Sequence, residues 1–124
     1  MMLCIASAGA VTALAVSSFT LEWTHSVERT QWSEKWLVTE GGLQVVEASV
    51  AGSGAGIGLP DDAVLADGRW TYRPQLKPLK SLVLAASGMT ASAWTVCAPG
   101  YECRRVGSSP GDLAMLWAAQ NCAD

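Results

Sequence analysis

Two stretches of strict alternation constrain this chain more than any other feature of its sequence. From Ser18 to Glu28, Phe19, Leu21, Trp23, His25 and Val27 fall in one phase and Thr20, Glu22, Thr24, Ser26 and Glu28 in the other. From Gln31 to Thr39, Trp32, Glu34, Trp36 and Val38 alternate with Gln31, Ser33, Lys35, Leu37 and Thr39. A period of two belongs to a strand with one buried face, because successive side chains point to opposite sides of the pleat. Gly41-Gly42 signals a hairpin turn, and Leu43 to Val50 reads as a third strand with Leu43, Val45, Glu47 and Ser49 in one phase. A three-stranded meander is therefore expected in the first half.

The second half alternates less cleanly. Short strands are expected at Arg69 to Arg73, Ser81 to Ala86, Ala93 to Cys97 and Glu102 to Val106. The tail changes period. Ser109 reads as a helix cap, Pro110 as the first helical position and Asp112 as a first-turn carboxylate. Leu113, Leu116, Trp117 and Gln120 follow at helical spacing. The expected fold is mostly β, a small antiparallel sandwich or barrel with a short C-terminal helix. A length of 124 residues supports one such domain.

The N-terminus carries no charged side chain before Glu22. Leu3 to Val16 has the length of a signal h-region, and Ala13-Leu14-Ala15 offers small residues at −3 and −1 of a cut after Ala15. No Lys or Arg precedes the apolar run. The expected division is a signal peptide over 1–15 and a β-rich domain over 16–124, with an uncleaved anchor or a buried core segment as the alternatives. On that division Cys4 is removed, and Cys97, Cys103 and Cys122 remain in an oxidising compartment. Cys97 and Cys103 flank Pro99-Gly100, a hairpin turn that brings them face to face, so that pair is the first choice. Cys97–Cys122 and Cys103–Cys122 are the other pairings, and one thiol is left over in each case. The spacing lacks the paired CxxC knuckles of a zinc site.

Eight basic and eleven acidic residues give a net charge of −3, with Arg104-Arg105 the one basic pair. A nucleic-acid or anionic-membrane partner selects clustered Lys and Arg, so neither is expected, and membrane contact is confined to the N-terminal segment.

Register brings the polar residues of the meander together. With the first turn at Arg29-Thr30, the apolar faces coincide when His25 stands opposite Glu34 and Trp23 opposite Trp36. The turn at Gly41-Gly42 then sets Trp36 opposite Glu47 and Glu34 opposite Ser49. His25, Glu34, Glu47 and Ser49 form a polar patch beside Trp32, Trp36 and Trp23. Buried polar groups cost free energy unless paired, so the patch needs a reason. Three are available: His25 and Glu34 fix the register; His25, Glu34 and Glu47 hold a ligand or a divalent metal; or Glu34 orients His25 as a general base. Ser26 points to the opposite face and is no part of a triad. The loop Gly52-Ser53-Gly54-Ala55-Gly56-Ile57-Gly58 begins just after Ser49. Its backbone N–H groups can approach an anion, although it is neither a P-loop nor a dinucleotide fingerprint.

The export segment, Trp23-Thr24-His25-Ser26-Val27-Glu28-Arg29-Thr30 with Glu34 close behind, Gly42-Leu43 through Glu47, and Gly54-Ala55-Gly56 followed by Pro60 resemble the bacterial domain-of-unknown-function family 1850, DUF1850. The resemblance implies a short exported protein, often encoded beside TRAP-type solute transporters with the TAXI class of binding protein. It implies a periplasmic accessory role with transporter components as partners, and it brings no catalytic residues with it.

The resulting expectation is a periplasmic accessory or small-ligand-binding protein, its ligand held by His25, Glu34, Glu47, Ser49, Trp32, Trp36 and the Gly54-Ala55-Gly56 loop. No cofactor is expected beyond an optional divalent metal. One alternative is a small metal-dependent or hydrolase-like enzyme at the same patch. The other is a structural or protein-interaction domain that packs its Trp residues on a partner.

Overall fold

A computed structural model describes residues 1–24, 30–51, 59–85, 94–107 and 113–122. Within them the chain forms eleven strands: β1 Met2–Ser7, β2 Ala10–Leu14, β3 Ser18–Thr24, β4 Gln31–Thr39, β5 Gly42–Ala51, β6 Val64–Ala66, β7 Arg69–Tyr72, β8 Leu82–Ala85, β9 Trp94–Cys97, β10 Arg104–Val106 and β11 Leu113–Ala119. They make two antiparallel sheets. The larger has the order β10-β9-β3-β4-β5-β7-β6 and the smaller the order β2-β1-β11-β8. Both sheets keep open edges, so the architecture is a sandwich and not a closed barrel. One hydrophobic core lies between them. Phe19, Leu21, Trp36, Val45 and Val96 come to it from the larger sheet, and Leu3, Ile5, Leu84, Ala114 and Leu116 from the smaller.

The expected meander β3-β4-β5 is the centre of the larger sheet. Its faces sort as the alternation predicts: Phe19 and Leu21 are buried, while Leu37 and Gln31 are exposed. The β4–β5 turn is tighter than read from the sequence. Thr39 pairs with Gly42, so Glu40-Gly41 is the turn and Gly42 already belongs to the strand. Gly42 sits at φ 125°, and a Cβ there would lie 2.3 Å from the Leu79 carbonyl oxygen. Glycine is required because the Leu79 backbone crosses at that point, exchanging two 2.8 Å backbone hydrogen bonds with Leu43.

The first fourteen residues are part of the sandwich. β1 and β2 pair through a turn at Ala8-Gly9, whose φ values of 52° and 80° are those of a type I′ hairpin. Leu3, Ile5 and Leu14 enter the core, and β1 also pairs along its whole length with β11. Cys4 is joined to Cys122 by a disulfide across 118 residues of sequence. Residues 1–15, expected as a removable signal, thus supply half the strands of the smaller sheet and one end of a covalent cross-link.

The expected C-terminal helix is corrected to strand β11. Leu116 and Ala114 face inward and Leu113 and Met115 outward, a period of two on a segment with apolar residues in both phases. Such a run satisfies helical and extended patterns alike, and pairing with β1 on one side and β8 on the other decides between them.

The four cysteines form two disulfides and none is free. Cys97–Cys103 closes the β9–β10 hairpin around Pro99-Gly100, as the turn predicts. Cys122 is not left over, since Cys4 remains in the fold to receive it. Two disulfides suggest an oxidising, extracytoplasmic location.

Candidate functional site

The inner face of the larger sheet carries an unusual set of side chains at one end. On β4, Trp32, Glu34 and Trp36 share that face at intervals of two. Register extends the row outward from each. Glu34 stands opposite Leu21 of β3 and Ala48 of β5, and Ala48 stands opposite Tyr72 of β7. Trp32 stands opposite Trp23 and Val50, and Val50 opposite Trp70. The rings of Trp23 and Trp32 lie 6.1 Å apart and nearly parallel at 6°, and Trp94 of β9 tilts against Trp23 at 4.8 Å. Five of the six Trp residues are on this face. Trp117, paired with Cys4, stands in the other phase of the smaller sheet, out of the shared core.

Exposure divides the rows in a consistent way. Phe19, Leu21, Ala48, Val50 and Val96 are sealed, whereas Trp23, Trp32, Glu34, Trp70, Tyr72 and Trp94 stay half-buried. The small Ala48 and the Val50 beside it lie sealed between two taller groups, Trp32 with Glu34 on one side and Trp70 with Tyr72 on the other. The Cα atoms of the two groups are two inter-strand spacings apart, roughly 9.5 Å. Thr24 and Ala51 are the last residues of β3 and β5 and Gln31 is the first of β4, so these three strand ends lie together at this end of the sheet. Thr30, one residue before β4, is buried, and its hydroxyl has no hydrogen-bond partner among the described residues.

Glu34 is the one carboxylate on this face among the described residues. Its Oε1 accepts a 3.2 Å hydrogen bond from Trp36 Nε1. Burial pushes its carboxyl above the usual carboxylate range, and the Trp36 N–H opposes this only in part. Burial also raises the Tyr72 hydroxyl, and the negative charge of Glu34 raises it further. The nearest cation in the same cross-strand row is Arg104 on the exposed edge strand β10, three strands away.

The expected site is partly assembled and partly dispersed. Glu34, Trp32 and Trp36 do stand together. Glu47 and Ser49 do not join them. The β4–β5 ladder shifts register between Lys35 and Trp36, with Val46 as the extra residue, and the shift turns Glu47 and Ser49 to the outer face. There Glu47 lies 3.7 Å from Lys35 Nζ, and Ser49 Oγ accepts from Arg69 Nη2 at 3.0 Å. Glu47 also borders a groove of about 450 Å³ with Asp62, Thr71, Tyr72 and Arg73. His25 and the Gly54-Ala55-Gly56 loop fall outside the described residues. The expected pairing of His25 with Glu34 gives way to Leu21 opposite Glu34, because the β3–β4 register is Trp23 to Trp32, four residues from that expected. No group of three His, Cys, Asp or Glu side chains is placed to hold a metal ion among the described residues. Tyr72, Trp70 and Trp94 were not expected in the site. Their pairings across β7 and β9 span sequence separations that no local pattern encodes.

The family model of a domain of unknown function, DUF1850, matches residues 19–104. No curated protein and no solved structure matches the chain. The matched region runs from the start of β3 to the start of β10. It contains Glu34 and the aromatic rows and leaves β1, β2 and β11 outside.

Proposed function

This chain belongs to the DUF1850 family, and we propose on that footing that it is an extracytoplasmic accessory protein that binds a small ligand. The site is the aromatic end of the larger sheet: Glu34, Trp32 and Trp36, joined by Trp23, Trp70 and Tyr72. One observation carries this reading. The Glu34 carboxylate stands half-buried on a mostly apolar end of the face, with the Trp36 indole N–H as its hydrogen-bond donor, among rings that remain half-buried. A face that served packing alone would fill that position with an aliphatic side chain, since a half-buried carboxylate with one indole N–H for a partner costs free energy. Ligand sites combine large apolar walls with a few placed polar groups, and this end of the sheet has that composition.

Residues 1–15 carry β1, β2 and Cys4, which supports an exported form that retains them. The role in solute uptake beside TRAP-type transporters rests on the family resemblance. It predicts a complex between this chain and a TAXI-class binding protein from the same genome, detectable by sedimentation of the two purified proteins together.

The ligand reading is tested with four probes: acetate, choline, glucose and glycine. Tryptophan fluorescence and thermal melting are followed for the full chain and for Glu34→Gln. At least one probe saturates a fluorescence change in the wild type and loses most of its affinity in the variant. A folded wild type that responds to none of the four contradicts the reading.

A further inference from the structure

We infer that the ligand of this face is an organic cation, an ammonium group carrying alkyl substituents, seated against the Trp and Tyr rings beside the Glu34 carboxylate. The inference rests on the reading that this face is the binding site, and it follows from which charges and surfaces the face offers. The half-exposed ring faces of Trp32, Trp70 and Tyr72 are electron-rich, and Glu34 adds the one formal charge beside them among the described residues, a negative one. An anion would meet repulsion from both. A bare divalent metal would need several oxygen or nitrogen ligands, and no group of three His, Cys, Asp or Glu side chains forms around Glu34 among the described residues. A neutral sugar would need many hydrogen-bond partners, and the described polar side-chain atoms around these rings are the Glu34 carboxylate and the Tyr72 hydroxyl beside the indole N–H groups.

A substituted ammonium group satisfies each constraint at once. Its alkyl envelope packs on the indoles, its charge interacts with the ring faces, and the carboxylate supplies the counter-ion. The half-exposed edges of the Trp32–Glu34 and Trp70–Tyr72 groups, two strands apart across the sealed Ala48 and Val50, set the place, with aromatic surface on both sides and the carboxylate on one. Among the described residues no Lys or Arg pairs with Glu34, and Arg104, in its row, stands at the far edge of the sheet.

Choline and its uncharged isostere 3,3-dimethyl-1-butanol separate charge from shape. Each is titrated into the full chain at constant ionic strength, with tryptophan fluorescence and calorimetry as readouts. Choline is expected to bind the wild type about tenfold more tightly than the alcohol or better. Glu34→Gln is expected to reduce that preference to what the ring faces alone supply, and Trp32→Leu to weaken both. Equal binding of the two compounds, or saturable binding of acetate without choline, overturns the cation while leaving the site in place. A folded wild type silent to all three, and to the neutral and zwitterionic probes above, overturns the site itself. The wild-type comparison of choline with the alcohol decides the question even where a variant fails to fold.

Discussion

Glu34 and Gly42 show how much a single side chain decides in this fold. Glu34 is held above the usual carboxylate range by burial, with Tyr72 the titratable group that faces it from β7. Below both its unfolded and its native pKa the carboxyl is neutral in both states and has no pH-dependent effect. As pH rises through the window between them, the unfolded chain releases its proton first, so stability falls, and it stays lower above the native value. Glu34→Gln keeps an acceptor for Trp36 Nε1 and removes the charge. Thermal melts of this variant should show a higher midpoint than wild type at pH 7, and the fall across that window should disappear. An unchanged pH dependence would show that Glu34 is not the group responsible. Gly42 answers to backbone and not to charge. At φ 125° with the Leu79 oxygen 2.3 Å from a hypothetical Cβ, Gly42→Ala combines strain with a clash against main chain. Urea denaturation should register a loss of roughly 2–4 kcal/mol.

At the scale of strands, the sequence states which face a residue occupies far better than which residue it meets. The alternation in β3 and β4 assigns Trp23, Trp32, Glu34 and Trp36 to the inner face, and there they lie. The same alternation is satisfied by any register shift of two or four residues, so it cannot distinguish His25 from Leu21 as the neighbour of Glu34. One extra residue, Val46, then reverses the faces of Glu47 and Ser49, and a bulge leaves no mark in a hydrophobic pattern. Apolar runs with no polar phase are ambiguous in a further way. Met2–Ser7, Ala10–Leu14 and Leu113–Ala119 have no charged residue, and composition alone fits a signal segment and a helix. The informative local mark was Ala8-Gly9, a pair suited to positive φ between two apolar stretches. These strands carry their own prediction. Peptide mapping of the exported protein under non-reducing conditions should recover a Cys4–Cys122 cross-linked pair, and a mature N-terminus at Val16 would contradict it. Replacing Cys4 and Cys122 by Ser should cost about 2–5 kcal/mol in denaturant unfolding. The same change at Cys97 and Cys103 should cost less, because that bond closes a loop of six residues instead of 118.

Taken whole, the molecule is a two-sheet sandwich whose larger sheet gathers aromatic residues at the end where several of its strands stop. β1 and β11 are the central pair of the smaller sheet, and Cys4 of β1 is cross-linked to Cys122, just past the end of β11. This division gives the ligand reading an internal control, because Trp117 stands out of the shared core on the smaller sheet while the other five indoles face inward from the larger. The indole N–H signals of the six Trp residues, assigned by single Trp→Phe variants, can be followed by nitrogen–proton NMR during a choline titration. The signals of Trp32, Trp36 and Trp70 should shift together along one saturating curve while Trp117 stays fixed. Stationary signals for those three at saturating choline and at saturating levels of the other probes, or movement of Trp117 alone, would contradict a binding site on the inner face of the larger sheet.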